Sequence, residues 1–150
     1  MAAFSQELRA RALRLLARRE HSRSELERKL APHAESQQAL RALLDALVEK
    51  KQLSDARYAA ERAQQLQRKY GAAMVRRKLG QAGVGKDVVL AAVTVTDERE
   101  RARAILLRRY RDEPRTREER AKRARFLAGR GFSHDVIRLA LGEQDEPAGA

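Results

Sequence analysis

The chain has no cysteine and no tryptophan, and only three prolines. Without cysteine there are no disulfides, no thiolate metal ligands and no Cys nucleophile, and the absence fits a reducing compartment. Aromatic residues make up only 4%. A core must therefore come mostly from Leu, Ala and Val, which suits thin helical layers better than a deep globular interior. No apolar run approaches the ~20 residues that a membrane span needs, and the N-terminus lacks the apolar stretch of a signal peptide. These absences predict a soluble cytoplasmic protein without membrane contact.

Negative charge is also scarce. Thirty-three Lys and Arg stand against 21 Asp and Glu, a net charge of +12. Such a field favours a polyanion or an acidic protein surface as partner. The plainer alternative is a proteome biased toward Arg, a good helix former. That bias usually raises Asp and Glu as well, which leaves less net charge than this.

What the chain does have is a repeated frame. Leu79-Gly80-Gln81-Ala82-Gly83-Val84 and the following Asp87-Val88-Val89 align without a gap on Leu127-Ala128-Gly129-Arg130-Gly131-Phe132 and Asp135-Val136-Ile137, at an offset of 48. A fainter copy lies 49 residues upstream of the first, with Leu30 for Leu79, Ala34 for Gly83 and Ala39-Leu40 for Val88-Val89. A basic residue stands two places before each leucine: Arg28, Arg77 and Arg125. A period near 50 residues predicts an array of supersecondary units rather than one globular core.

Each unit reads as three helices. In the first, residues 5–52, Ser5 caps a helix with the stripe Leu8, Ala12, Leu15 and Leu16. Ser22-Arg23-Ser24-Glu25 is a capping box that opens a second helix, which Pro32 stops. Ser36 opens a third with Leu40, Leu43, Leu44, Leu47 and Val48 facing inward. The second unit, residues 53–95, begins at Ser54-Asp55 and carries Ala59, Ala63, Leu66 and Tyr70. It turns at Gly71, and again at Ala82-Gly83-Val84-Gly85, with Val88, Val89, Ala92 and Val93 on the last inner face. The β-branched run 93–96 has no partner strand and reads as a connector. The third unit, residues 96–141, opens on Thr96 as cap, followed by Asp97 and Glu98, and has Ala102, Ile105 and Leu106 inside. Thr116-Arg117-Glu118-Glu119 is a further capping box, and the third unit carries 8 extra residues between Tyr110 and Leu127. Residues 142–150 have no apolar period and are expected to be a disordered tail. The expected fold is all-α, an elongated array of three tandem three-helix repeats.

Chemistry of a catalytic kind is not legible. His21, His33 and His134 fall at caps or turns of different units and read as helix-end residues, not metal ligands. Gly83-Val84-Gly85-Lys86 lacks the spacing and the preceding strand of a phosphate loop. A helix-turn-helix reading places Asp87–Val93 in the reading position. That helix offers almost nothing polar to base edges, so base-specific recognition is not expected. The cations sit elsewhere: Arg28 and Lys29, then Arg76, Arg77 and Lys78, then a dense run from Asp97 to Arg130 with 13 basic and 7 acidic residues. In that run Arg108, Arg109, Arg120, Lys122, Arg123, Arg125 and Arg130 are the candidates for phosphate or filament contact. Phosphate contacts position a protein without specifying sequence. Because the inner positions are already filled, these cations are expected to have little to do for the fold. A solvated face laced with pairs such as Glu119 and Arg123 is the plain alternative.

Four stretches in order resemble a known family. Leu16-Ala17-Arg18-Arg19-Glu20-His21-Ser22-Arg23-Ser24-Glu25-Leu26, followed by Lys29-Leu30, is similar to the opening motif of the RecX regulatory proteins. Leu53-Ser54-Asp55-Ala56-Arg57-Tyr58-Ala59 resembles their acid-Arg-aromatic-Ala stretch. Tyr70-Gly71 with Val75, Leu79 and Gly83 resembles the middle repeat. Arg125-Phe126-Leu127 with Arg130-Gly131-Phe132-Ser133 resembles the last. The resemblance spans Leu8 to Leu141, and it departs at Lys51, where the family often has glycine. It implies three-helix repeats that bind the recombinase RecA and lie in the groove of the RecA–DNA filament. It also implies limited filament growth, ATP turnover and strand exchange, in the setting of DNA repair and recombination. The partners expected are thus the RecA filament and single- and double-stranded DNA, with a monomeric protein, no cofactor and no catalytic site. The competing expectation is a sequence-non-specific nucleic-acid-binding protein that acts without RecA.

Overall fold

Hydroxyl side chains open most of the helices, and at Ser5, Ser22, Ser36, Ser54 and Thr116 they do so where the sequence predicts. The computed structural model describes residues 4–142, and expectations for residues 143–150 lie outside them. Ser5 Oγ accepts from the Leu8 N–H at 3.1 Å and opens α1 (Gln6–Arg18). Ser22 accepts from Glu25 at 3.0 Å and opens α2 (Arg23–Leu30). Ser36 does the same for Ala39 at 3.0 Å ahead of α3 (Gln37–Glu49). Ser54 Oγ takes the Arg57 N–H at 3.2 Å where α4 (Asp55–Gln67) begins. After α5 (Ala72–Gln81), α6 (Lys86–Ala92) and α7 (Glu98–Arg109), Thr116 caps α8 (Arg117–Gly129) and Ser133 caps α9 (His134–Ala140). Each such cap contributes about 1 kcal/mol. Pro32 falls in a single 3-10 turn, Ala31–His33, directly after α2. Among the described residues there are nine α-helices and no strand, and residues 93–95 are a connector. The fold is all-α.

Two sequence expectations fail locally. Val48, placed on the inner face of α3, is 44% exposed, because Leu40, Leu43, Leu44 and Leu47 already fill the buried stripe. Thr96 does not cap α7. The cap position is Asp97, whose φ of 61° is left-handed and whose side chain makes no capping hydrogen bond. The acid that follows works for a different helix. Glu98 is buried, and its Oε1 accepts the Ala72 N–H at 3.0 Å, satisfying the first free donor of α5. Asp55 does the equivalent for α2, accepting the Arg23 N–H at 2.7 Å. In both places the first residue of one helix stabilises the N-terminus of another.

At two of its three copies the repeated frame is a helix stop; the fainter first copy is not, since Ala34 is extended there (φ −86°, ψ 142°) after the 3-10 turn. At the end of α5 the Val84 N–H returns to the Leu79 carbonyl and the Gly83 N–H to that of Gly80. At the end of α8 Phe132 returns to Leu127 and Gly131 to Ala128. Gly83 and Gly131 have φ of 86° and 94°, the left-handed region that closes a helix this way. The same two bonds close α3, from Gln52 to Leu47 and from Lys51 to Val48, but there Lys51 itself takes φ 62°.

By its internal contacts the chain falls into two compact units. The first comprises Met1–Arg62 with Leu79–Ala92, the second Ala63–Lys78 with Val93–Ala150. The first is centred on Leu8, Ala12, Leu26, Leu30, Leu40, Leu43, Leu44, Leu47 and Leu53. Full burial of a leucine is worth roughly 1.5–3 kcal/mol, so this layer dominates that unit's stability. The second is centred on Ala102, Ile105, Leu106, Leu127, Phe132, Ile137, Ala140 and Leu141.

One docking contact recurs. In the first unit, Ser22 Oγ donates to the Ala82 carbonyl at 2.7 Å while Ser24 lies against Gly83. In the second unit, the Gly71 N–H donates to the Arg130 carbonyl at 2.8 Å while Met74 lies against Gly131. Each time the start of a short helix seats on a glycine stop.

Candidate nucleic-acid interface

The candidate cations have different structural situations. In the first unit, Arg28 and Lys29 occupy the last turn of α2, where positive charge suits the helix dipole. Arg28 is exposed. Lys29 Nζ is engaged: it lies 3.0 Å from His21 Nε2 and 3.9 Å from Glu25 Oε2. An ammonium only donates, so His21 Nε2 accepts and its Nδ1–H donates to the Arg19 carbonyl at 3.0 Å. The ring is neutral, and burial holds its pKa below the ordinary value. His21 is 1% exposed, so it does more than end a helix. The bidentate Arg19 pair at 2.7 and 2.9 Å holds the Glu25 carboxyl below its usual range.

In the second unit, α5 carries Arg76 and Lys78, both half-buried, and exposed Arg77. On α7, Arg108 donates to the Arg68 carbonyl and Arg109 is exposed. On α8, Lys122 and Arg125 are exposed and Arg120 is half-buried. Arg123 differs from all of these. It is 9% exposed, its Nη1 donates to the Asp112 carbonyl, and its guanidinium lies 4.5 Å from the Tyr110 ring centroid. The expectation that these cations have little to do for the fold therefore fails at Arg123. Arg123 lies one helical turn before Leu127 on the buried side of α8, and its charge rests on a ring.

The structure also gathers something that charge counting missed. The Lys78 ammonium lies 4.8 Å from the Tyr70 centroid, and the Arg130 guanidinium 5.5 Å from the same ring. Arg130 is also 5.1 Å from Phe126, which has Arg109 at 4.8 Å. Arg109 is 5.8 Å from Tyr110, and Phe126 meets Tyr110 edge to face at 6.1 Å. Cation and ring thus alternate from Lys78 to Arg123. Among the described residues none of these four cations is ion-paired with a carboxylate. Part of the strip was readable, since Phe126 and Arg130 are one helical turn apart. The approach of Tyr70 to Arg130 was not, because it needs the Gly71 contact.

Among the described residues no His, Asp and Glu cluster could hold a metal ion, and no helix is long and apolar enough to cross a membrane. The arrangement offers charge and ring surface.

Comparison with known proteins bears on what such a surface serves. The family model described as "RecX, third three-helix domain" matches residues 97–141. The regulatory protein RecX of Leptothrix cholodnii is 43% identical over 136 residues, 89% of this chain and 87% of its own length. The chain belongs to the RecX family. Regulatory protein RecX of Chromobacterium violaceum is 40% identical over 97% of each chain. Among solved structures, RecX from Lactobacillus salivarius superposes with a TM-score of 0.79 over 91% of this chain and 94% of that one. At 21% identity this shows the shared fold. A second crystal structure of regulatory protein RecX gives 0.75 at 25% identity, over 89% of this chain and 70% of that one. The RecX opening motif resembled at Leu16–Leu30 contains Arg19, His21, Ser22 and Glu25, the residues that fix the start of α2.

Proposed function

We propose that this chain is a regulatory protein that binds the RecA–DNA filament and modulates, mainly by inhibition, the ATPase and recombinase activity of RecA. The observation that carries this reading is membership of the RecX family over nearly the whole chain, among relatives named regulatory proteins. Its physical support is the net charge of +12 and a strip of cations without carboxylate partners. A filament groove presents repeated protomers and DNA phosphates. Three three-helix repeats, at residues 5–52, 53–95 and 96–141, suit it because several weak contacts made together gain avidity without one deep pocket. In this reading the protein acts as a cytoplasmic monomer, has no turnover of its own, and touches DNA through phosphates rather than by base-specific contacts.

The uncompensated cation strip also favours a second reading, a nucleic-acid-binding protein that acts without RecA. Co-sedimentation separates the two. With RecA filaments assembled on DNA, the protein is expected in the pellet at concentrations where equal amounts of naked DNA retain little of it. Equal retention on naked DNA would favour the second reading.

A further inference from the structure

In the second unit rings and cations alternate in one strip. We propose that this strip is a binding site for single-stranded nucleic acid. Tyr70 and Phe126 meet unpaired bases, and Lys78, Arg109 and Arg130 meet the phosphates. The inference rests on the DNA contact in the function proposed above. It adds where the strand sits and that its bases must be unpaired.

Three features lead to it. A ring face fixes the position of a cation through its quadrupole but does not neutralise it, whereas a carboxylate would. The distances of 4.8 to 5.5 Å at Lys78, Arg109 and Arg130, with no ion pair at any of them, describe cations that are both placed and uncompensated. A phosphate arriving there meets donors whose side chains are already ordered, so less entropy is lost on binding. Second, the rings Tyr70, Tyr110 and Phe126 are only partly buried. Ring surface is therefore open to solvent beside the cations. Third, the chain has just six Phe and Tyr residues, and three of them are gathered here. Phosphates alone require no aromatic surface. Unpaired bases do, because they stack on rings and on guanidinium planes, and duplex bases are not available for this. Arg123, buried at the end of the strip, positions Tyr110 and does not itself bind.

The test uses the whole protein and three fluorescent probes of about 16 nucleotides, a length that one such site spans: oligothymidylate, an abasic strand with the same phosphates, and a blunt duplex. Wild type is expected to bind oligothymidylate about 5- to 100-fold more tightly than the abasic strand. Phe126→Leu should remove most of that preference, weakening oligothymidylate binding several-fold more than that of the abasic strand, which loses only the pre-ordering of Arg109 and Arg130. Arg109→Gln changes an exposed residue and leaves the rings in place. It should weaken both single strands alike and flatten the salt dependence by about 0.7 in log–log slope. A helical circular dichroism spectrum and melting curve confirm that each variant is folded; should Phe126→Leu not fold, the wild-type preference and Arg109→Gln decide. Equal wild-type affinity for thymidylate and abasic strands, or tighter binding to the duplex, overturns the proposal. So does displacement by poly-glutamate as effective as displacement by oligothymidylate, which would mark an acidic protein as the partner. RecA inhibition measured alongside is independent: its absence with the base preference intact would defeat the proposed function and leave the strip standing.

Discussion

Gly71 and Gly131 meet backbone to backbone: a Cβ on Gly71 would lie 2.5 Å from the Gly131 carbonyl oxygen. Real side chains do not approach so closely, and backbone on the other side cannot swing away. Gly131 is further constrained, since its own φ of 94° is left-handed and a Cβ there would sit 2.5 Å from Met74 Cβ. Replacing Gly131 by Val should therefore destabilise the protein by about 2 kcal/mol or more, combining backbone strain with overpacking. Gly80→Ala, in α5 with nothing within 4 Å of the added methyl, should instead be neutral or stabilising by up to roughly 0.5 kcal/mol. Thermal or urea unfolding of both variants checks this. Equal effects would mean that the glycine stop is not what seats α5.

The repeat of that stop was visible in the sequence, and its partner was not. Leucine, glycine and the following apolar residue recur at an offset of 48, so a helix end could be placed at Gly83 and Gly131 from spacing alone. Caps at Ser5, Ser22, Ser36 and Thr116 were equally local, because a hydroxyl three residues before its donor is written in consecutive positions. What sequence could not show were contacts between distant residues. Ser22 reaches Ala82, Glu98 reaches Ala72, and Tyr70 reaches Arg130 only because helices are packed in a particular way. Charge counting likewise treated Arg123 and Arg125 as equals, although one is buried on a ring and the other is exposed.

Those two arginines should respond differently to substitution. Arg123→Gln loses the ring contact and the hydrogen bond to Asp112, and should destabilise the protein by about 1–2 kcal/mol. Arg125→Gln should change stability by less than about 0.5 kcal/mol. If Arg125 meets a phosphate, the same change should weaken duplex binding independently of sequence and flatten its log–log salt slope by about 0.9. Urea melts and binding to two unrelated duplexes across a salt series separate the two roles.

Lys51 stands where the other two helix stops of this kind have glycine, and it holds φ 62° without one. A left-handed lysine costs about 1 kcal/mol in the folded state, offset in part by the greater unfolded freedom of glycine. Lys51→Gly should raise stability by roughly 0.5 kcal/mol, read as a higher denaturation midpoint at unchanged slope. A lower midpoint would show that the lysine side chain makes up for its backbone.

His21 should give the protein a pH dependence of definite sign. It is buried and neutral, faced by the Lys29 ammonium and the Arg19 carbonyl, with Glu25 nearby. Its folded pKa lies below the ordinary 6.5, so the unfolded chain takes up the proton first. The stability it confers is complete above about pH 6.5 and is lost as the pH falls below that value. Chemical unfolding at stepped pH from 8 to 5 should show this decline, and His21→Gln should flatten it. A stability that instead rises on mild acidification would mean that the ring is charged in the fold and that the contact with Lys29 has been misassigned.

The central claim is action on the RecA filament, and DNA-dependent ATP hydrolysis by RecA reports on it most directly. Hydrolysis is measured on a long single strand while this protein is titrated, starting at amounts too small to coat the DNA. The account predicts a fall in ATP turnover at those low amounts, with weaker inhibition by variants at exposed cations such as Arg109→Gln. ATP turnover that stays constant until the protein is abundant enough to cover the DNA would contradict it.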